Sequence, residues 1–62
     1  MPNRRAFLKH LRTHGCDLLR EGANHSWYVN RETGARSAVP RHNEIKPTTA
    51  RAICKQLGVP PS

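Results

Sequence analysis

Residues 16–40 read CDLLREGANHSWYVNRETGARSAVP, and this stretch decides the fold. Two runs in it, 16–21 (CDLLRE) and 25–30 (HSWYVN), suit strands, and Gly22 and Asn24 mark the turn between them. Residues 30–34 (NRETG) make the next turn, where Gly34 can take the positive φ that a side chain disfavours. Residues 35–40 (ARSAVP) form a third short strand, and Pro40 ends its hydrogen bonding or marks an edge. Connections this short imply a three-stranded antiparallel meander.

Helical signals flank the meander. Residues 4–14 carry Phe7, Leu8 and Leu11 on one helical face, with Asn3 as N-cap and Gly15 as the stop. Residues 41–46 (RHNEIK) read as a polar loop. Pro47 fits the first turn of a second helix, in which Ala50, Ile53, Cys54 and Leu57 recur at i, i+3, i+4 and i+7. Gly58 and the prolines at 60 and 61 end it. The chain is therefore expected to be α+β, in the order α-β-β-β-α, with two helices on one face of a three-stranded antiparallel sheet. The other face is left open. Summed apolar area favours Trp27 and Val29 inward, in register with His25, over Tyr28 with Ser26 and Asn30.

At 62 residues, with 35% hydrophobic residues, the chain is expected to be one domain spanning 1–62. No apolar run approaches the roughly 20 residues that cross a bilayer, and the basic start lacks an apolar stretch of signal-peptide length. A soluble cytoplasmic protein without membrane association is expected. Cys16 and Cys54 are too few for a disulfide scaffold and read as two buried or half-buried thiols. Eleven Lys and Arg against four Asp and Glu give +7. The charge sits at both ends of the chain, with a nearly neutral middle. Folded together, the ends would frame the sheet with a field that attracts RNA or DNA.

Few residues suit chemistry. No P-loop, GxSxG motif or paired carboxylates occur. His10 and His14 share a helical face but lack a third ligand, so no metal site is expected. His25 follows the turn Gly22-Ala23-Asn24 and opens the aromatic strand, where it can reach a ligand lying across the turn. RNA cleavage needs little more: the 2′-OH is the nucleophile, an imidazole takes its proton, and cations stabilise the phosphate. Residue types alone leave His25 open between this role and that of an ordinary surface histidine.

The combination is more specific than its pieces. Gly22, His25 and Tyr28 form a Gly-x-x-His-x-x-Tyr turn and strand, and Gly34 and Arg36 end the next hairpin. Val39-Pro40-Arg41-His42 leads through Glu44-Ile45-Lys46-Pro47 to a final helix ending Leu57-Gly58. Over nearly its whole length this order resembles the HicA, or YcfA-like, family of small toxins. Many members have Gly-Ser-His or Gly-Gly-x-His at the turn; here Asn24, which tolerates left-handed backbone, precedes the histidine.

The resemblance implies a fold similar to a double-stranded-RNA-binding domain. It implies the toxin of a type II toxin–antitoxin pair, a ribonuclease that cleaves mRNA and arrests translation and growth. His25 then becomes the catalytic base, or base and then acid, with no metal and no cofactor. Arg41, Lys46, Arg36 and Tyr28 are the candidate RNA contacts, and His42 is the auxiliary acid. Arg4, Arg5 and Arg12 are expected to lend field rather than specific contacts. The implied partner is a HicB-type antitoxin that masks His25. Two alternatives stay beside this: a non-catalytic RNA-binding module, and a domain whose open face binds a protein.

Overall fold

The computed structural model describes residues 3–61. Helix α1 (Arg4–Thr13) leads into strands β1 (Cys16–Glu21), β2 (His25–Asn30) and β3 (Arg36–Pro40), and helix α2 (Pro47–Leu57) follows. This is the expected α+β order. The sheet runs β1-β2-β3 with both pairings antiparallel. The Asn3 side chain accepts from the Ala6 amide at 2.7 Å, capping α1 as its sequence predicts. Pro47 opens α2, and Gly58 at φ 73° closes it.

Both helices cover one face of the sheet. Phe7 and Leu11 from α1 meet Ala50, Ile53, Cys54 and Leu57 from α2 in a single buried cluster. The sheet supplies Cys16, Tyr28 and Val39 to it. The loop after β3 is not wholly polar: Ile45 is buried and completes the cluster. Cys16 and Cys54 are buried thiols with no disulfide between them. Burial raises the Cys16 pKa, with Asp17 and then Cys54 adding to the effect, so the thiol stays neutral.

The inward face of β2 is the reverse of the area-based expectation. Ser26, Tyr28 and Asn30 are buried, while Trp27 and Val29 lie half-buried on the opposite face with exposed His25. Each inward polar group has a partner on a distant element, so its burial carries no unmet hydrogen bond. Ser26 Oγ accepts from Arg4 Nη2 at 2.7 Å and donates to Glu21 Oε1 at 2.6 Å. Asn30 Nδ2 donates to the Leu57 carbonyl at 2.7 Å, and Ser37 Oγ donates to Gln56 Oε1 at 2.6 Å. Small polar residues beneath the helices leave room for the Tyr28 ring between them.

Strand β1 pairs regularly through Leu18↔Tyr28, then shifts register, so that Arg20 faces Trp27 and Glu21 faces Ser26. Leu19 is the extra residue, a β-bulge. In the hairpin that follows β2, Gly34 has φ 79°, the left-handed value expected of it.

Candidate functional site

The site begins with the turn between β1 and β2. The Gly22 amide donates to the His25 carbonyl at 2.7 Å, which closes the turn. Gly22 is favoured by space rather than by dihedral angle, since its φ is not positive. A Cβ there would lie 3.1 Å from the His25 carbonyl oxygen and 3.5 Å from Trp27 Nε1. No non-glycine residue among those described has positive φ, so Asn24 makes this turn without left-handed backbone. His25 emerges exposed at the first position of β2, on the face the helices do not cover.

The turn is fastened from outside. Pro40, at the end of β3, pairs with His25, which brings the following residues beside the turn. Arg41 Nη2 donates to Glu21 Oε1 at 2.9 Å and to the Gly22 carbonyl at 2.8 Å. Glu21 thus accepts from both Ser26 and Arg41. Its carboxyl is held below its ordinary pKa, first by the Ser26 hydroxyl and then by Arg41 and Arg4, against an opposing desolvation effect.

Arg4 is more than a source of field. Its Nε donates to the Pro40 carbonyl at 3.0 Å, and its backbone amide donates to Asn43 O at 2.8 Å. With the Ser26 bond, it ties α1 to β2 and to the loop after β3. A bridge between Asn3 and Glu44 adds a second tie. The loop that carries Arg41 and His42 is therefore anchored at several points.

The expected site residues fall into three places. His25 and Arg41 meet at the turn. His42 and Lys46 line a cleft of about 230 Å³ floored by Ile45, with Lys46 at the N-cap of α2 and making no capping bond from its side chain. Arg36 lies on the open sheet face, in a groove of about 500 Å³ with Leu19, Arg20 and Trp27. Tyr28 does not join them. It is 5% exposed beneath the helices, so it cannot stack on a base, and Trp27 is the available aromatic. The spacing held the signal for this. His25 and Tyr28 are three apart in one strand, so a surface histidine demands an inward tyrosine.

His10 and His14 are taken up locally. His10 Nε2 lies 2.7 Å from the Pro60 carbonyl, and His14 Nδ1 lies 3.0 Å from the His10 carbonyl. Among the described residues, no group of three or more His, Cys, Asp or Glu is placed to hold a metal, and no helix is long and apolar enough to cross a membrane.

Fold and site together define a small α+β protein with helices on one sheet face and an exposed histidine on a basic opposite face. The family model described as HicA toxin of bacterial toxin-antitoxin matches residues 4–59. The chain belongs to this toxin family, as its motifs led us to expect. No curated protein and no solved structure matches it significantly.

Proposed function

We propose that the chain acts as a metal-independent endoribonuclease on mRNA, with His25 as its general base. The observation that carries this reading is the exposed imidazole of His25, set on a turn closed by its own backbone bond and clasped by Arg41. Membership of a toxin family and a net charge of +7 support the same reading.

The chemistry runs as a transesterification. His25 accepts the proton of a ribose 2′-OH, whose oxygen attacks the adjacent phosphorus. The bond from phosphorus to the 5′-oxygen breaks, and that oxygen takes the proton from the imidazolium of His25. Positioned acid–base groups of this kind contribute ~10²–10⁴-fold. Arg41 keeps the turn in shape and directs its remaining N–H donors at phosphate. Lys46 binds phosphate in the cleft after β3, and Arg36 binds phosphate along the open face of the sheet. A HicB-type antitoxin would silence the enzyme by covering His25, whose exposure leaves it open to a protein surface as well as to RNA.

Induced expression in bacteria tests the assignment. The wild-type chain is expected to arrest growth, and His25→Ala to relieve the arrest. Equal arrest by both would remove His25 from the mechanism. Cleavage of RNA by the purified chain is expected to persist in EDTA, and its loss on chelation would contradict a metal-free reaction.

A further inference from the structure

On the open face of the sheet, two residues along β2 from His25, stands the only tryptophan of the chain. Trp27 is not part of the core cluster, which closes beneath the opposite face. Its indole Nε1–H donates to none of the described residues. The pyrrole edge lies against Gly22, so the ring leans toward the turn that carries His25. Across β3 its direct partner is Ala38, too small to cover an indole face.

Charge flanks the ring on both sides. Arg20 is directly opposite on β1. Arg36 is opposite Val29 on β3, one diagonal step from Trp27, where neighbours lie ~7–8 Å apart. Both are exposed, and neither side chain bonds to any described residue, whereas the side chains of Arg4, Arg31 and Arg41 are engaged within the protein. The carboxylate on this face, Asp17, is paired with Arg31 and leaves the groove positive. Leu19, 43% exposed at the bulge, adds an apolar rim.

We propose that this groove is a base-stacking subsite for single-stranded RNA. One unpaired base lies on the Trp27 indole, and Arg20 and Arg36 take the phosphates on either side. The subsite's place next to the scissile bond rests on the reading of His25 as the cleavage centre; its capacity to bind does not. An aromatic between two guanidiniums is the arrangement that holds unstacked bases without reading their edges. A duplex offers phosphates and sugars but hides the faces of its bases, so it cannot use the indole. The substrate class is therefore unpaired RNA.

Because Trp27 is the only tryptophan, its emission reports the subsite directly. The full chain is titrated with a 2′-O-methyl single-stranded hexanucleotide, which carries no 2′-hydroxyl and cannot be cleaved. Saturable quenching is expected. An abasic oligomer of equal length should bind roughly fivefold to hundredfold more weakly, the range of one lost stacking contact, and should not quench. Trp27→Leu, followed by anisotropy of a labelled oligomer, should lose affinity by a similar factor. In cleavage it should raise KM more than it lowers kcat.

Equal binding of the abasic oligomer, tighter binding of a duplex of the same sequence, or unchanged affinity in Trp27→Leu would each overturn the subsite. Emission that ignores every oligomer also overturns it and gives the face to a protein partner. If Trp27→Leu does not fold, the wild-type quenching and its abasic control decide alone. The two readings separate cleanly. Quenching that survives while His25→Ala still cleaves supports the subsite and removes the catalytic assignment. His25-dependent cleavage with silent Trp27 emission does the opposite.

Discussion

Glu21 joins the hydroxyl of Ser26 to the guanidinium of Arg41, and its charge underlies both contacts. Its folded pKa lies below its unfolded value. Its contribution to stability is therefore fully present above the unfolded pKa and is lost as pH falls through the lowered folded one. Urea unfolding at decreasing pH is expected to show the wild-type chain weakening on this acid limb. Glu21→Gln should show a shallower limb, since the amide stays neutral throughout. An unchanged limb would mean that the carboxylate does not fasten the turn. At this scale the sequence exposed the candidate residues but not their contacts. Gly22 and His25 lie in one readable motif and Arg41 in another. Ser26 and Asn30 looked like outward residues because the partners that satisfy them under the helices lie 22 and 27 positions away. Polar area is a guide to exposure only where no distant donor or acceptor meets it.

Among the elements, α2 carries an electrostatic conflict at its start. Lys46 is its N-cap, makes no capping bond from its side chain, and is followed by no acid in the first turn. A cation at the positive end of a helix is unfavourable, and Asn, Asp or Ser would satisfy a free N–H. Lys46→Asn is expected to stabilise the chain by about 0.5–1 kcal/mol in thermal or urea unfolding. If Lys46 binds phosphate as proposed, the same variant should bind RNA more weakly. A gain in stability without loss of affinity would assign Lys46 no role in binding. The bounds of the elements were largely legible, because Asn3, Gly34, Pro47 and Gly58 punctuate the chain with local chemistry. The inward phase of β2, the bulge in β1 and the burial of Ile45 were not, since tertiary partners decide each of them.

For the whole molecule, charge dominates the expected behaviour. The chain is a slab of 27 × 26 × 16 Å carrying +7. Binding to a polyanion should release counterions, with a slope of about −0.7 per phosphate contact in log affinity against log salt for single strands. Contacts from Arg20, Arg36, Arg41 and Lys46 together would give a slope of roughly −3. Filter binding of the uncleavable oligomer across a salt series measures it, and a flat line would dismiss phosphate contact altogether. The architecture was readable at this scale because short connections leave few topologies open. The family was readable because its motifs keep their order along the chain. The aromatic that the open face carries was not, because it depends on the inward phase of β2.

That outcome turns on a matter of parity. Were Leu19 paired in regular alternation instead of bulged out, the arginine at position 20 would point under the helices. The acid at position 21 would swing out beside the imidazole. That register, with Leu19 retained but paired, would put a negative charge on the face proposed for RNA and would strip Ser26 and Arg41 of their shared acceptor, whereas deleting Leu19 would leave Arg20 opposite Trp27 and Glu21 opposite Ser26. A single bulged residue in an edge strand thus fixes the sign of the surface on which we propose that RNA lies.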